Sequence, residues 1–145
     1  MKPLQILVLS VFLPVAAAGQ ETPPLRVQDA AGVTMAEFLW LKRPVVVLAD
    51  SPNDPAFTKQ LALLAENPGA LSERDVVVVV DSNPAARSFF RTKLRPRGFS
   101  LVLMDKDGGV ELRKPRPWDV REITRAIDKF PLARQELLDR FPSGR

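Results

Sequence analysis

The hexapeptide Asp50-Ser51-Pro52-Asn53-Asp54-Pro55 places two carboxylates and a hydroxyl within five residues, directly after an apolar run. Two such carboxylates could act as an acid/base pair or hold a cation, and the hydroxyl could attack an acyl or phosphoryl group. Nucleophilic serine chemistry requires a base to take the proton. The chain has no histidine, and no Ser-x-x-Lys spacing follows Ser51. Asp54 before Pro55 is also the pattern of a helix start, with a capping side chain followed by proline at the first helical position. Ser51 and Asp54 are therefore read first as turn and cap residues, and with Asp50 as candidate ligand contacts.

The second chemical feature is basic. Arg87, Arg91, Lys93, Arg95 and Arg97 form the longest stretch without an acidic residue. With Arg87 and Arg91 one helical turn apart, a shared face is expected. Arg87, Arg91 and Arg97 are candidate contacts for an anionic ligand such as phosphate, anionic lipid or polysaccharide. The competing reading is a solvated helix face. Asp105-x-Asp107-Gly108 has the opening of a calcium loop but lacks its remaining ligands, so a hairpin turn is expected and no metal site. There is neither a phosphate loop nor a Gly-x-Gly-x-x-Gly, and no cofactor is expected.

Composition narrows the chemistry further. The 145 residues include no cysteine, which excludes thiol redox chemistry, disulfides and thiolate metal sites. At 46% hydrophobic and 26% charged the chain belongs with ordinary folded domains, and its length suits a single one. Its net charge of +4 is too small to imply nucleic acid.

The first eighteen residues resemble an export leader. Lys2 supplies the positive start, Ile6 to Val15 the apolar run, and Ala16-Ala17-Ala18 the small-residue cleavage site. The run is short of the roughly 20 residues a bilayer span needs, and Pro14 interrupts it. Cleavage after Ala18 removes Lys2 and leaves a net charge of +3. No later stretch is long and apolar enough to cross a membrane. These features predict an exported, periplasmic protein.

The remainder divides into a lead-in over 19–38, a domain over 39–141 and a tail over 142–145. Thr34 to Glu37 has capping-box spacing and predicts a helical turn stopped before Pro44. Val45 to Ala49 and Val76 to Val80 are continuous β-branched runs, the mark of strands covered on both faces. Helices are expected from Asp54 to Glu66, ended by Asn67-Pro68-Gly69, and from Asn83 through Leu94. Ser100 to Met104 and Val110 to Arg113 make a hairpin about a Lys-Asp-Gly-Gly turn. Val120, Ile123 and Ile127 form the stripe of a further helix, and Phe130-Pro131 precedes a last helical segment. Trp40, Trp118, Phe89 and Phe90 are assigned to the core. The order strand-helix-strand-helix-strand-strand-helix, with a four-stranded mixed sheet, is that of an α/β, thioredoxin-like fold. It places the first strand centrally, parallel to the second, with the hairpin on its other side. Thioredoxins carry Cys-x-x-Cys after the first strand and a cis-proline before the third. This chain has Asp50 to Pro55 and Gly98-Phe99-Ser100 at those places.

Four stretches carry a resemblance to a known family: Arg43 to Ala49, Glu73 to Val78, Lys106 to Arg113, and Ile127 to Glu136. They resemble the domain of unknown function family 4174 of exported bacterial proteins, also found in secreted sushi-repeat and coiled-coil matrix proteins of animals. The Lys-Asp-Gly-Gly and Ile-Asp-x-x-Pro segments are its most specific parts. The resemblance implies a thioredoxin-like fold without an established enzymatic activity, and it carries over no catalytic residue. Family members commonly show Met-Pro-Met-Arg-Arg where this chain has Phe130-Pro131-Leu132-Ala133-Arg134. Two functions are consistent with these features. One is a non-catalytic binding or structural module whose partner is an envelope protein or an anionic ligand. The other is a cysteine-free envelope hydrolase using Asp50, Asp54 and arginines on an anionic substrate.

Overall fold

The computed structural model describes Gly19 and residues 24–142, so the leader read over Met1 to Ala18 lies outside the described residues. Five strands form one mixed sheet: β1 Arg26–Asp29, β2 Arg43–Leu48, β3 Val76–Asp81, β4 Ser100–Met104 and β5 Val110–Lys114. Their order is β1-β3-β2-β4-β5. β2 is parallel to β3 and antiparallel to β4, which pairs antiparallel with β5. The central strand and its two neighbours are therefore those expected. The fifth strand is the correction. Arg26–Asp29, read as part of the lead-in over 19–38, pairs parallel to β3 and widens the sheet from four strands to five. Its four residues are mostly polar and exposed, so no hydrophobic period marked it as a strand.

β2 and β3 are nearly all aliphatic because both faces of the sheet are covered. One face packs Val45, Val47 and Val78 beneath α1 Pro55–Ala65, α2 Pro68–Ser72 and α4 Val120–Ile127. Phe57, Leu64, Leu71, Ile123 and Ile127 are the buried contributions of these helices. The other face packs Val46, Leu48, Val77 and Val79 against Ala30, Met35, Phe38, and Phe90 and Leu94 of α3 Phe89–Leu94.

Local chemistry sets the helix ends. Asp54, Asn67, Ser88 and Asp119 each cap a helix, and Asp119 with Glu122 closes a capping box. Asn67-Pro68 ends α1 as expected, but the same pair opens α2. The helix expected from Asn83 through Leu94 is divided. A 3-10 turn over Pro84–Ala86 stops at Arg87, which takes the left-handed conformation at φ 46°, and Ser88 caps a fresh helix. Thr34 precedes a single 3-10 turn without a side-chain cap. Trp40 is 66% exposed at φ 64° and Phe89 is 40% exposed, so neither belongs to the core, whereas Phe90 is fully buried. In the hairpin turn, Gly108 at φ 83° meets the left-handed requirement, and a Cβ there would come within 3.3 Å of Met35.

The first residue of β2 is a buried arginine, Arg43. Its Nε donates to Asp105 Oδ1 at 3.0 Å and its Nη1 to the Arg74 carbonyl at 3.0 Å. Its Nη2 lies 3.1 Å from Glu136 Oε2, close enough for an ion pair but off the line of a hydrogen bond. Glu136 belongs to α5 Pro131–Arg140, a helix with no buried residue. Glu136 also meets Lys106 Nζ at 2.8 Å, which pairs in turn with Asp75 at 2.7 Å. The Leu132 amide donates to Asp105 Oδ2 at 3.3 Å. Charge–charge and amide contacts, with Ala133 against the core, thus attach α5 to the sheet.

Two predictions follow from this attachment. Arg43→Met should cost about 3–5 kcal/mol, because it leaves Asp105 buried without its partner. Arg43→Met with Asp105→Leu should recover most of that loss, as urea midpoints at constant m-value would report. Burial pushes the Glu136 carboxyl up, but Lys106 and Arg43 more than offset it and hold it below the usual range. A depressed folded value means that this pairing contributes fully above the unfolded pKa of about 4.3 and is lost as pH falls through the folded one. Glu136→Gln should therefore speed amide exchange in α5 at neutral pH and leave β2 and β3 protected. The difference from the parent should vanish in acid.

Candidate functional site

Of the sequence candidates, Asp50, Ser51, Asp54 and Arg91 lie at the carboxyl ends of β2 and β3. The chain leaves β2 through Asp50 and Ser51, and Asp54 opens α1. The Asp54 carboxylate accepts from the amides of Ala56 at 2.8 Å and Phe57 at 3.4 Å. The Ser51 hydroxyl oxygen accepts from the Asn53 amide at 3.2 Å. Both side chains are thus turn and cap groups, and neither is aimed at the other as base and nucleophile. Asp50 is different, for its side chain is 62% exposed and lies 3.5 Å from Arg91 Nη1.

Arg91 is the centre of this end of the sheet. Its Nη2 donates to the Ala49 carbonyl at 2.6 Å and to Asp81 Oδ1 at 3.1 Å, and its Nε to Asp81 Oδ2 at 3.2 Å. Ser88 donates its hydroxyl to the same Asp81 carboxylate, while its oxygen accepts from the Arg91 amide at 3.1 Å. Asp81 Oδ1 further accepts from the Asn83 amide at 3.0 Å. Burial pushes the Asp81 carboxyl up, but the hydrogen bonds from Arg91, Ser88 and Asn83 outweigh it and hold it below the ordinary aspartate range. The carboxylate stays ionised and hydrogen-bonded, a state suited to holding an arginine and unsuited to accepting a proton near neutrality.

Asp81 and Ser88 were absent from the sequence-based candidates. Their only signal was weak: a carboxylate ending a valine run, and a serine seven residues on. The arginines named with them do not form one face. Arg91 is mostly buried against Asp81, whereas Arg87 lies outside α3 in its left-handed turn and is exposed. Arg97 is elsewhere again, beyond α3, lining a groove of about 390 Å³ with Arg95, Phe99, Ser100, Arg113 and Pro115. Among the described residues no three carboxylates come together as a metal site.

The place after β2 where thioredoxins carry their thiols is thus occupied by a cap, an Asx-like turn and one carboxylate on Arg91. No cis peptide bond occurs among the described residues, so the loop before β4 departs from the thioredoxin pattern as well. The backbone nevertheless follows known thioredoxin-fold proteins. Chloroplastic thioredoxin z superimposes with a TM-score of 0.53 at 20% identity, over 72% of this chain and 94% of that one. Prx1a of Plasmodium yoelii gives 0.53 at 14% identity, over 78% and 84% of the two chains. At such identities the likeness establishes the fold alone. The sequence match is more specific. It spans residues 34–136, from the turn before β2 to Glu136 in α5, and so encloses every member of the Arg43 network. The chain belongs to the family of that match, the domain of unknown function DUF4174.

Proposed function

We propose that this chain is an exported, non-catalytic thioredoxin-like module that acts by binding in the cell envelope, the periplasm of a Gram-negative bacterium. The observation that carries the reading is the use already made of Arg91. Its guanidinium spans Ala49, Asp50 and Asp81, so the groups nearest the thioredoxin redox position tie β2, β3 and α3 together. Asp54 is engaged by two helix amides and Ser51 by its own turn. A hydrolase using Asp50 and Asp54 would need at least one carboxylate poised as a proton acceptor beside a free cation. Neither condition is favoured by these contacts. Export rests on Lys2, the apolar run to Val15 and the small residues Ala16 and Ala18. Among the described residues no helix is long and apolar enough to cross a membrane.

Two measurements test this. N-terminal sequencing of the protein recovered from the envelope should begin at Gly19, and an intact Met1 in the mature pool would contradict export. Insulin reduction with dithiothreitol and peroxide consumption should both remain at the buffer blank, since no thiolate can form. Turnover above the blank that disappears on Asp50→Asn or Ser51→Ala would replace the module by an enzyme.

A further inference from the structure

Four basic side chains of this protein are matched by carboxylates. Arg43, Arg74, Arg91 and Lys106 each pair with a carboxylate within 3.5 Å. The groove beside α5 follows the same rule, with Arg43, Arg74 and Arg140 balanced by Glu73, Asp128 and Glu136 along its walls. The groove at the start of β4 does not. Arg95, Arg97 and Arg113 line it with Phe99, Ser100 and Pro115, and no acidic residue is among them. Among the described residues none of these three arginines has a carboxylate within 4.0 Å.

The three guanidinia reach this groove from different elements. Arg95 is the residue that ends α3, left-handed at φ 48° with its amide on the Arg91 carbonyl. Arg97 follows across Pro96, and Arg113 projects from β5 opposite Val102. Arg113 is held there by one hydrogen bond, from its Nη2 to the Leu94 carbonyl at 2.6 Å, which leaves its other donors available. Three like charges around one opening repel each other, a cost that an anion seated among them would relieve. Phe99, Ser100 and Pro115 complete the lining of the groove.

We propose that this groove binds a phosphate ester. Arginine forks match the oxygens of phosphate in bidentate pairs, and a phosphate monoester carries about 1.5 to 2 negative charges near neutral pH, against three unmatched positive ones. A single carboxylate would neutralise less of that charge and use fewer of the donors. The proposal rests on the reading of the chain as a binding module and names the class of its ligand. The site is distinct from the Asp50–Arg91 cluster, whose arginine is already engaged.

The test is titration calorimetry on the purified full chain with inorganic phosphate, glycerol phosphate and acetate. Vesicles of phosphatidylcholine with and without phosphatidylglycerol form a second arm. Saturable binding of a phosphate probe is expected, at least about tenfold tighter than acetate and weaker at raised salt. Arg97→Gln and Arg113→Gln should each weaken it about fivefold or more, while Arg121→Gln on the outer face of α4 should not, with circular dichroism confirming that each variant folds. Arg97→Lys keeps the charge but not the fork, and should recover only part of the loss. Binding of glycerol phosphate assigns a soluble ester. Binding confined to phosphatidylglycerol vesicles, with the same dependence on Arg97 and Arg113, assigns the lipid headgroup. No saturable binding to any phosphate probe, equal binding of acetate, or equal loss with Arg121→Gln would overturn the proposal. Any of these with the redox assays still blank removes the groove's ligand alone, whereas redox turnover removes the module reading.

Discussion

A guanidinium at the first position of the central strand imposes a condition on everything around it. Arg43 carries a guanidinium and is almost wholly shielded from water, so its charge must be answered within the fold. The answer comes from distant parts of the chain: the Asp105 carboxylate at the end of β4, the Arg74 carbonyl before β3, and Glu136 on the last helix. Lys106 and Asp75 extend the set. Those residues fall within the four stretches that carry the family resemblance, or directly beside them. Arg43, Asp75, Lys106 and Glu136, one from each of the four stretches, thus meet at one ionic cluster that fastens α5 to the sheet.

The two ends of the parallel pair β2 and β3 solve the same problem in mirrored ways. At the amino end Arg43 is the buried charge and acids are brought to it. At the carboxyl end Asp81 is the buried charge, answered by Arg91, Ser88 and the Asn83 amide. Between them lie valines that have only apolar neighbours on both faces. Burying charges in this way contributes less to net stability than the contacts suggest, because desolvation offsets much of the attraction. Its value lies in geometry. An orphaned partner is costly, so alternative placements of α3 and α5 are disfavoured. The arginines around the groove at β4 stand outside this scheme, gathered on one opening with no acidic residue in its lining.

Much of the fold was legible in the sequence because it depends on local pattern. Val45 to Ala49 and Val76 to Val80 read as doubly covered strands, Asp54-Pro55 as a helix start, and Asp105 to Gly109 as a hairpin turn. β1 escaped because Arg26–Asp29 is a short, mostly exposed edge whose pairing with β3 is a tertiary event. The break at Arg87 escaped because an arginine in the left-handed region has no sequence signature. Trp40 shows the reverse error, for a large aromatic suggests a core position while its backbone holds it at the surface.

The residue content by itself determined that no thiol or imidazole chemistry is possible here, since a missing side chain cannot be supplied by any fold. The order of residues further determined that the last hairpin is antiparallel, because a short turn joins its strands, whereas the place of β1 beside β3 was not written in it. Which charges would be neutralised was left to the tertiary structure. Arg43 and Asp105 are 62 positions apart and Arg91 and Asp50 are 41 apart, and nothing in local spacing pairs them. Arg91 and Arg97 look alike in sequence, six residues apart in one basic stretch. The fold lays one across a buried carboxylate and leaves the other at an open groove, because helix packing, not composition, decides where each guanidinium comes to rest.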